Sequence, residues 1–89
     1  MQKENAKAAI LRKLYVMKKI GASHTPVVNI QKSFPKHLRG EVNKVIVPEL
    51  IKDNLLLMRK HNYGFSVSLN PGKIGEIREI LIKNFPNDF

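Results

Sequence analysis

The sequence predicts an α+β fold, mostly helical, built as one domain over residues 1–89: a three-helix core, then a β-hairpin, then a C-terminal helix. Three observations predict it. Apolar residues recur at steps of three and four over residues 3–20, 35–53 and 73–85, the period of one helix face. Phe65-Ser66-Val67-Ser68-Leu69 alternates apolar and polar, the period of a half-buried strand. A length of 89 residues, 43% of them hydrophobic and 26% charged, fits one modest core and leaves little for a second.

The first helix, residues 3–20, carries Ala6, Ile10, Leu14 and Met17 on one stripe with Leu11 beside it, and Gly21 is its expected stop. Arg12, Lys13, Lys18 and Lys19 take the other sides. Tyr15, Val16 and Ile20 lie off the stripe and either widen the buried face or mark a partner surface. After a break at Ser23-His24, Thr25 is placed to cap a short second helix, residues 26–33, with Pro26 in its first turn. That helix offers Val27, Val28 and Ile30 to the core; its β-branched residues leave an extended segment as the alternative.

Pro35 suits the first turn of the third helix, residues 35–53, whose face reads Leu38, Val42, Val45, Ile46, Glu49 and Leu50. Pro48 lacks the N–H that would bond the Lys44 carbonyl, so a kink is expected near residue 48. Asp53-Asn54 ends the helix. The hairpin covers residues 55–69 and turns at His61-Asn62-Tyr63-Gly64. Leu55, Leu57, Phe65, Val67 and Leu69 are expected to lie on the helices, with Ser66 and Ser68 facing solvent. Asn70-Pro71-Gly72 closes the hairpin, and the last helix, residues 73–85, presents Ile74, Ile77 and Leu81 with Ile80 adjoining.

Sixteen Lys and Arg against seven Asp and Glu give a net charge of +9. The excess is uneven: residues 1–60 hold 13 basic and 4 acidic side chains, and residues 61–89 hold 3 of each. Such a field favours polyanions through phosphate neutralisation and counterion release. Cysteine is absent, which removes disulfides, zinc–thiolate sites and thiol nucleophiles. His24, His37 and His61 lack the spacing of a metal motif, so no metal and no cofactor is expected. Nothing points to an enzyme. Asn70-Pro71-Gly72 is a turn and not a phosphate cradle, and no carboxylates pair in sequence. The N-terminus has no uninterrupted apolar stretch of a signal peptide, and no run nears the roughly 20 residues of a membrane span. The expectation is a cytoplasmic chain without a membrane partner.

Helix, short helix, helix, hairpin, helix is the order of a winged helix. Residues 24–71 resemble small archaeal winged helix-turn-helix proteins. The resemblance rests on FPKHLRGEV at residues 34–42, ELIK at 49–52, YG at 63–64 and VSLNP at 67–71. It implies a DNA-binding domain whose third helix enters the major groove and whose hairpin is a wing on the backbone. Pro48 departs from the pattern, where a good helix former is expected.

With Leu38 and Val42 turned inward, Lys36, His37, Arg39, Asn43 and Lys44 take the outward sides of that helix. Arg39 is suited to bidentate contact with guanine, and Asn43 to adenine. Lys36 and Lys44 suit phosphates, and Gly40 allows a backbone to come close. The wing tip supplies Arg59, Lys60, His61 and Tyr63, while Lys18, Lys19 and Lys32 flank the second helix as candidate phosphate contacts. The expected partner is nucleic acid, duplex DNA first. The expected role is transcriptional regulation or an accessory function on a plasmid or virus. A winged helix used for protein–protein contact and an RNA-binding protein are the competing readings. A homodimer is a candidate, pairing through Tyr15, Val16 and Ile20 or through Ile80, Ile82 and Phe85.

Overall fold

The computed structural model describes residues 2–62 and 64–89. Helix α1 spans Lys3–Val16, β1 spans Thr25–Pro26, and α2 spans Val27–Gln31. Helix α3, Lys36–Glu41, runs through a π turn, Val42–Ile46, into α4, Val47–Lys52. Strands β2, Leu56–His61, and β3, Gly64–Leu69, form the hairpin. A 3₁₀ turn, Pro71–Lys73, leads into α5, Ile74–Asn84. The Cα radius of gyration, 12.1 Å, is that of one compact domain, for which about 12 Å is expected at this length.

Helix α1 stops at Val16 and not at residue 20. Its terminus is a Schellman motif: Lys18 N–H donates to the Tyr15 carbonyl and Lys19 N–H to the Leu14 carbonyl. Lys18 takes the left-handed conformation there, φ 58°, a position that glycine usually fills. The chain then turns back beside the sheet. Gly21 N–H donates to the Leu69 carbonyl, and Leu69 N–H donates to the Lys19 carbonyl. Helix α4 ends by the same device, with Asn54 at φ 63° and Leu55 N–H donating to the Leu50 carbonyl.

The sheet has three antiparallel strands in the order β1-β3-β2. Thr25 does not cap α2. It pairs with Val67 as an edge strand, and Pro26 occupies the cap position instead. An edge strand tolerates proline because it needs no donor on its outer side. The hairpin register runs from Leu56 opposite Leu69 to His61 opposite Gly64. Leu56, Val67 and Leu69 therefore face the core, while Leu57 lies on the other face and is exposed.

Ser66 and Ser68 are buried, not solvent-facing. The segment after α1 lies over Ser68, and His61 lies against Ser66. Ser68 Oγ donates to the Gly21 carbonyl at 2.8 Å, and Ser66 Oγ shares a hydrogen bond with His61 Nε2. Val28 and Met17, which periodicity predicts to face inward, are exposed.

The long helical run does not keep α geometry up to Pro48. Val47 N–H donates to the Val42 carbonyl, five residues back. A proline clashes with the carbonyl four residues before it and cannot bond it. The wider turn, lying N-terminal to residue 48, accommodates that conflict. It also re-phases the buried face: Val42, Ile46, Val47 and Leu50 are buried, while Val45, expected inside, is exposed.

The core joins Ile10, Leu11 and Leu14 of α1, Ile30 of α2, the α3–α4 run, the sheet, and Ile77 and Leu81 of α5. Tyr15, Ile20, Ile80 and Phe85 pack against that core inside the subunit, so of the six residues named for a dimer surface only Val16 and Ile82 stay exposed.

Candidate nucleic-acid interface

Lys36, His37 and Lys44 are exposed on the α3 side of the long helical run, with the exposed Gly40 between them. Arg39 departs from its expected role. It is half-buried, and its Nε donates to the carbonyls of Gln31 at 3.1 Å and Phe34 at 3.0 Å. Gln31 Nε2 returns a bond to the Arg39 carbonyl at 3.3 Å. The guanidinium thus clasps the turn between α2 and α3, adding to the bond that Phe34 N–H already makes to the Gln31 carbonyl. This use competes with reading guanine.

Asn43 sits in the π turn and is half-buried. It lines a groove of about 400 Å³ together with Pro26, Val28, Gln31, His61 and Phe65. The structure therefore brings Asn43 and His61 to one groove between the helix and the hairpin. Val28, Gln31 and Phe65 are further groove residues outside the sequence-predicted set. Nothing local in the sequence marks them, because the groove exists only once β3 pairs with β1.

On β2, Arg59, Lys60 and His61 are exposed toward the hairpin tip, and Tyr63 lies outside the described residues. Lys32 is exposed at the end of α2, beside the α2–α3 turn. Lys18 and Lys19 lie elsewhere. The backbone of Lys19 bonds Leu69, the end of β3 remote from the tip, roughly 17 Å along a six-residue strand.

Four acidic residues, Glu49, Asp53, Glu76 and Asp88, are held in ion pairs away from this surface. Among the described residues the ion pairs are Lys3–Glu49, Lys7–Asp53, Arg12–Asp88 and Lys73–Glu76. Glu41 lines a small crevice with Ala6, Phe34 and Leu38, on the α1 side of α3. Lys32, Lys36, Lys44, Arg59 and Lys60 have no ion-pair partner among the described residues.

Among the described residues no group of three His, Asp or Glu side chains is placed to hold a metal ion. No described helix is long and apolar enough to cross a membrane. His24 Nδ1 lies 2.9 Å from the Ala22 carbonyl, as a loop hydrogen bond. An apolar groove of about 420 Å³ lies between α1 and the α2–α3 turn, with Val16 and Met17 exposed at its edge. Comparisons with protein-family models, with curated proteins and with solved structures each found no match for this chain.

Proposed function

We propose that the chain is a winged helix domain that binds duplex DNA, with the α3 side of the long helical run in the major groove and the β2–β3 hairpin along the backbone. The observation that carries this reading is the charge arrangement. Lys32, Lys36, Lys44, Arg59 and Lys60 are exposed and have no ion-pair partner among the described residues, and Lys44, Arg59 and Lys60 adjoin Asn43 and His61, which line one groove; the ion-paired cations, Lys3, Lys7, Arg12 and Lys73, lie elsewhere. Unpaired cations along a helix and an adjacent ribbon suit two phosphate rows of a duplex. In this reading the chain is a regulator or accessory factor and not an enzyme. A protein-contact role has one observation in its favour, the apolar groove edged by Val16 and Met17.

Electrophoretic shifts with duplex DNA, single-stranded DNA and RNA over a salt series test the reading. Each phosphate neutralised contributes about 0.9 to the slope of log affinity on log salt, so five contacts give a slope near −4.5. That is a loss of about 500-fold between 50 and 200 mM salt. No duplex shift at 50 mM salt, or tighter binding to RNA than to duplex DNA, overturns the proposal.

A further inference from the structure

The glycines of this chain divide by what holds them in place. Gly21, φ 63°, and Gly64, φ 136°, occupy backbone conformations that other residues resist. An added Cβ at Gly72 would meet Asn70 Oδ1 at 3.3 Å. Gly40 and Gly75 have no such reason, since a Cβ built on either meets nothing within 4 Å. Gly40 is the fifth residue of α3, inside a continuous helical run from Lys36 to Lys52. Glycine there destabilises the helix relative to alanine, because it loses more backbone freedom on folding. The fold draws nothing from Gly40 in return.

Its surroundings indicate what does. Lys36 and His37 lie one turn before it and Lys44 about one turn after, all exposed and without ion-pair partners among the described residues. The face is cationic at both ends and bare in the middle. Resting on the duplex-binding reading above, we propose that Gly40 is the point of closest approach between the protein backbone and the duplex. Its missing side chain lets α3 seat deeply enough for Lys36 and Lys44 to reach phosphates on either side. A methyl group at residue 40 would stand inside that contact, and overpacking a closely fitted surface weakens it by roughly five- to hundred-fold.

The test compares wild type, Gly40→Ala and Gly75→Ala on a labelled 20-base-pair duplex at 50 mM salt, with thermal unfolding of each. Gly75 lies in the first turn of α5, in the part of the chain whose charges balance, and serves as an internal control. Gly40→Ala is expected to melt roughly 2–6 °C higher than wild type and to bind at least five-fold more weakly. Gly75→Ala is expected to bind like wild type. Binding by Gly40→Ala within two-fold of wild type overturns the inference while leaving the duplex-binding reading intact. So does an equal loss in both variants, or a lower melting temperature for Gly40→Ala. A wild-type chain that leaves the duplex free overturns the reading and the inference together.

Discussion

Replacing Arg39 by alanine separates two roles for one side chain. The Nε–H of Arg39 is shared by two carbonyls, Gln31 at 3.1 Å and Phe34 at 3.0 Å. A hydrogen bond from a charged donor contributes about 1.5–3 kcal/mol net. One shared, half-buried N–H is best counted once, so the loss is about 1.5–2.5 kcal/mol. The small gain in helix propensity on going to alanine offsets little of it. For a domain of this size each kcal/mol moves the melting temperature by roughly 4–8 °C, so the variant should melt about 10 °C below wild type. Arg39→Lys should fall almost as far, because an ammonium on a flexible stem does not reproduce the planar fork. Thermal unfolding followed by far-UV circular dichroism reads both. If Arg39 is instead a base reader, melting stays within about 1 °C of wild type and preference among duplex sequences is lost, and the clasp is refuted.

Two further substitutions follow from backbone geometry and burial. Lys18→Gly relieves a left-handed residue at the end of α1 and should stabilise the fold by about 0.5–1 kcal/mol, read as a rise of a few degrees in melting temperature; no rise would mean that the Schellman turn carries no strain. Ser68→Ala removes the donor to the Gly21 carbonyl at a buried site and should cost about 1–3 kcal/mol in denaturant unfolding, whereas a neutral result would mean that the segment after α1 does not depend on that bond.

Much of the element order was legible because period and punctuation are local signals. The helical stripes through Ile10 and Leu14, and through Ile77 and Leu81, announce themselves over a few turns. Asn54 marked a helix stop because asparagine tolerates the left-handed region. Lys18 did not, since lysine gives no such signal, and Gly21 drew the boundary too far along. The two-residue strand β1 was illegible for another reason. Thr25 pairs with Val67, some forty residues away, and two residues have no period. The burial of Ser66 and Ser68 was illegible alike: alternation assigns faces, but what covers the second face is set by tertiary contacts, Gly21 at Ser68 and His61 at Ser66. In the candidate interface, the exposed lysines could be read from helical spacing. The turning-in of Arg39 could not, because its acceptors belong to the turn before its own helix.

The π turn at Val42–Ile46 has a geometric consequence for the direction in which this protein presents its charges. One residue of an α-helix corresponds to about 100° of rotation, so an extra residue in one turn dials the two ends of a helix against each other by about a quarter of a revolution. Here the C-terminal end is locked in angle, since Val47 and Leu50 are both fully buried. The turn lets the azimuth of Lys36, His37 and Gly40 follow the packing of Leu38 and Val42 and the Arg39 clasp at their own end of the run. A rod of the same composition wound uniformly would point these residues along a different bearing from the hairpin. The groove that holds Asn43 opposite His61 exists at this setting of the dial, and Pro48, two positions past the turn, is what prevents the rod from winding back.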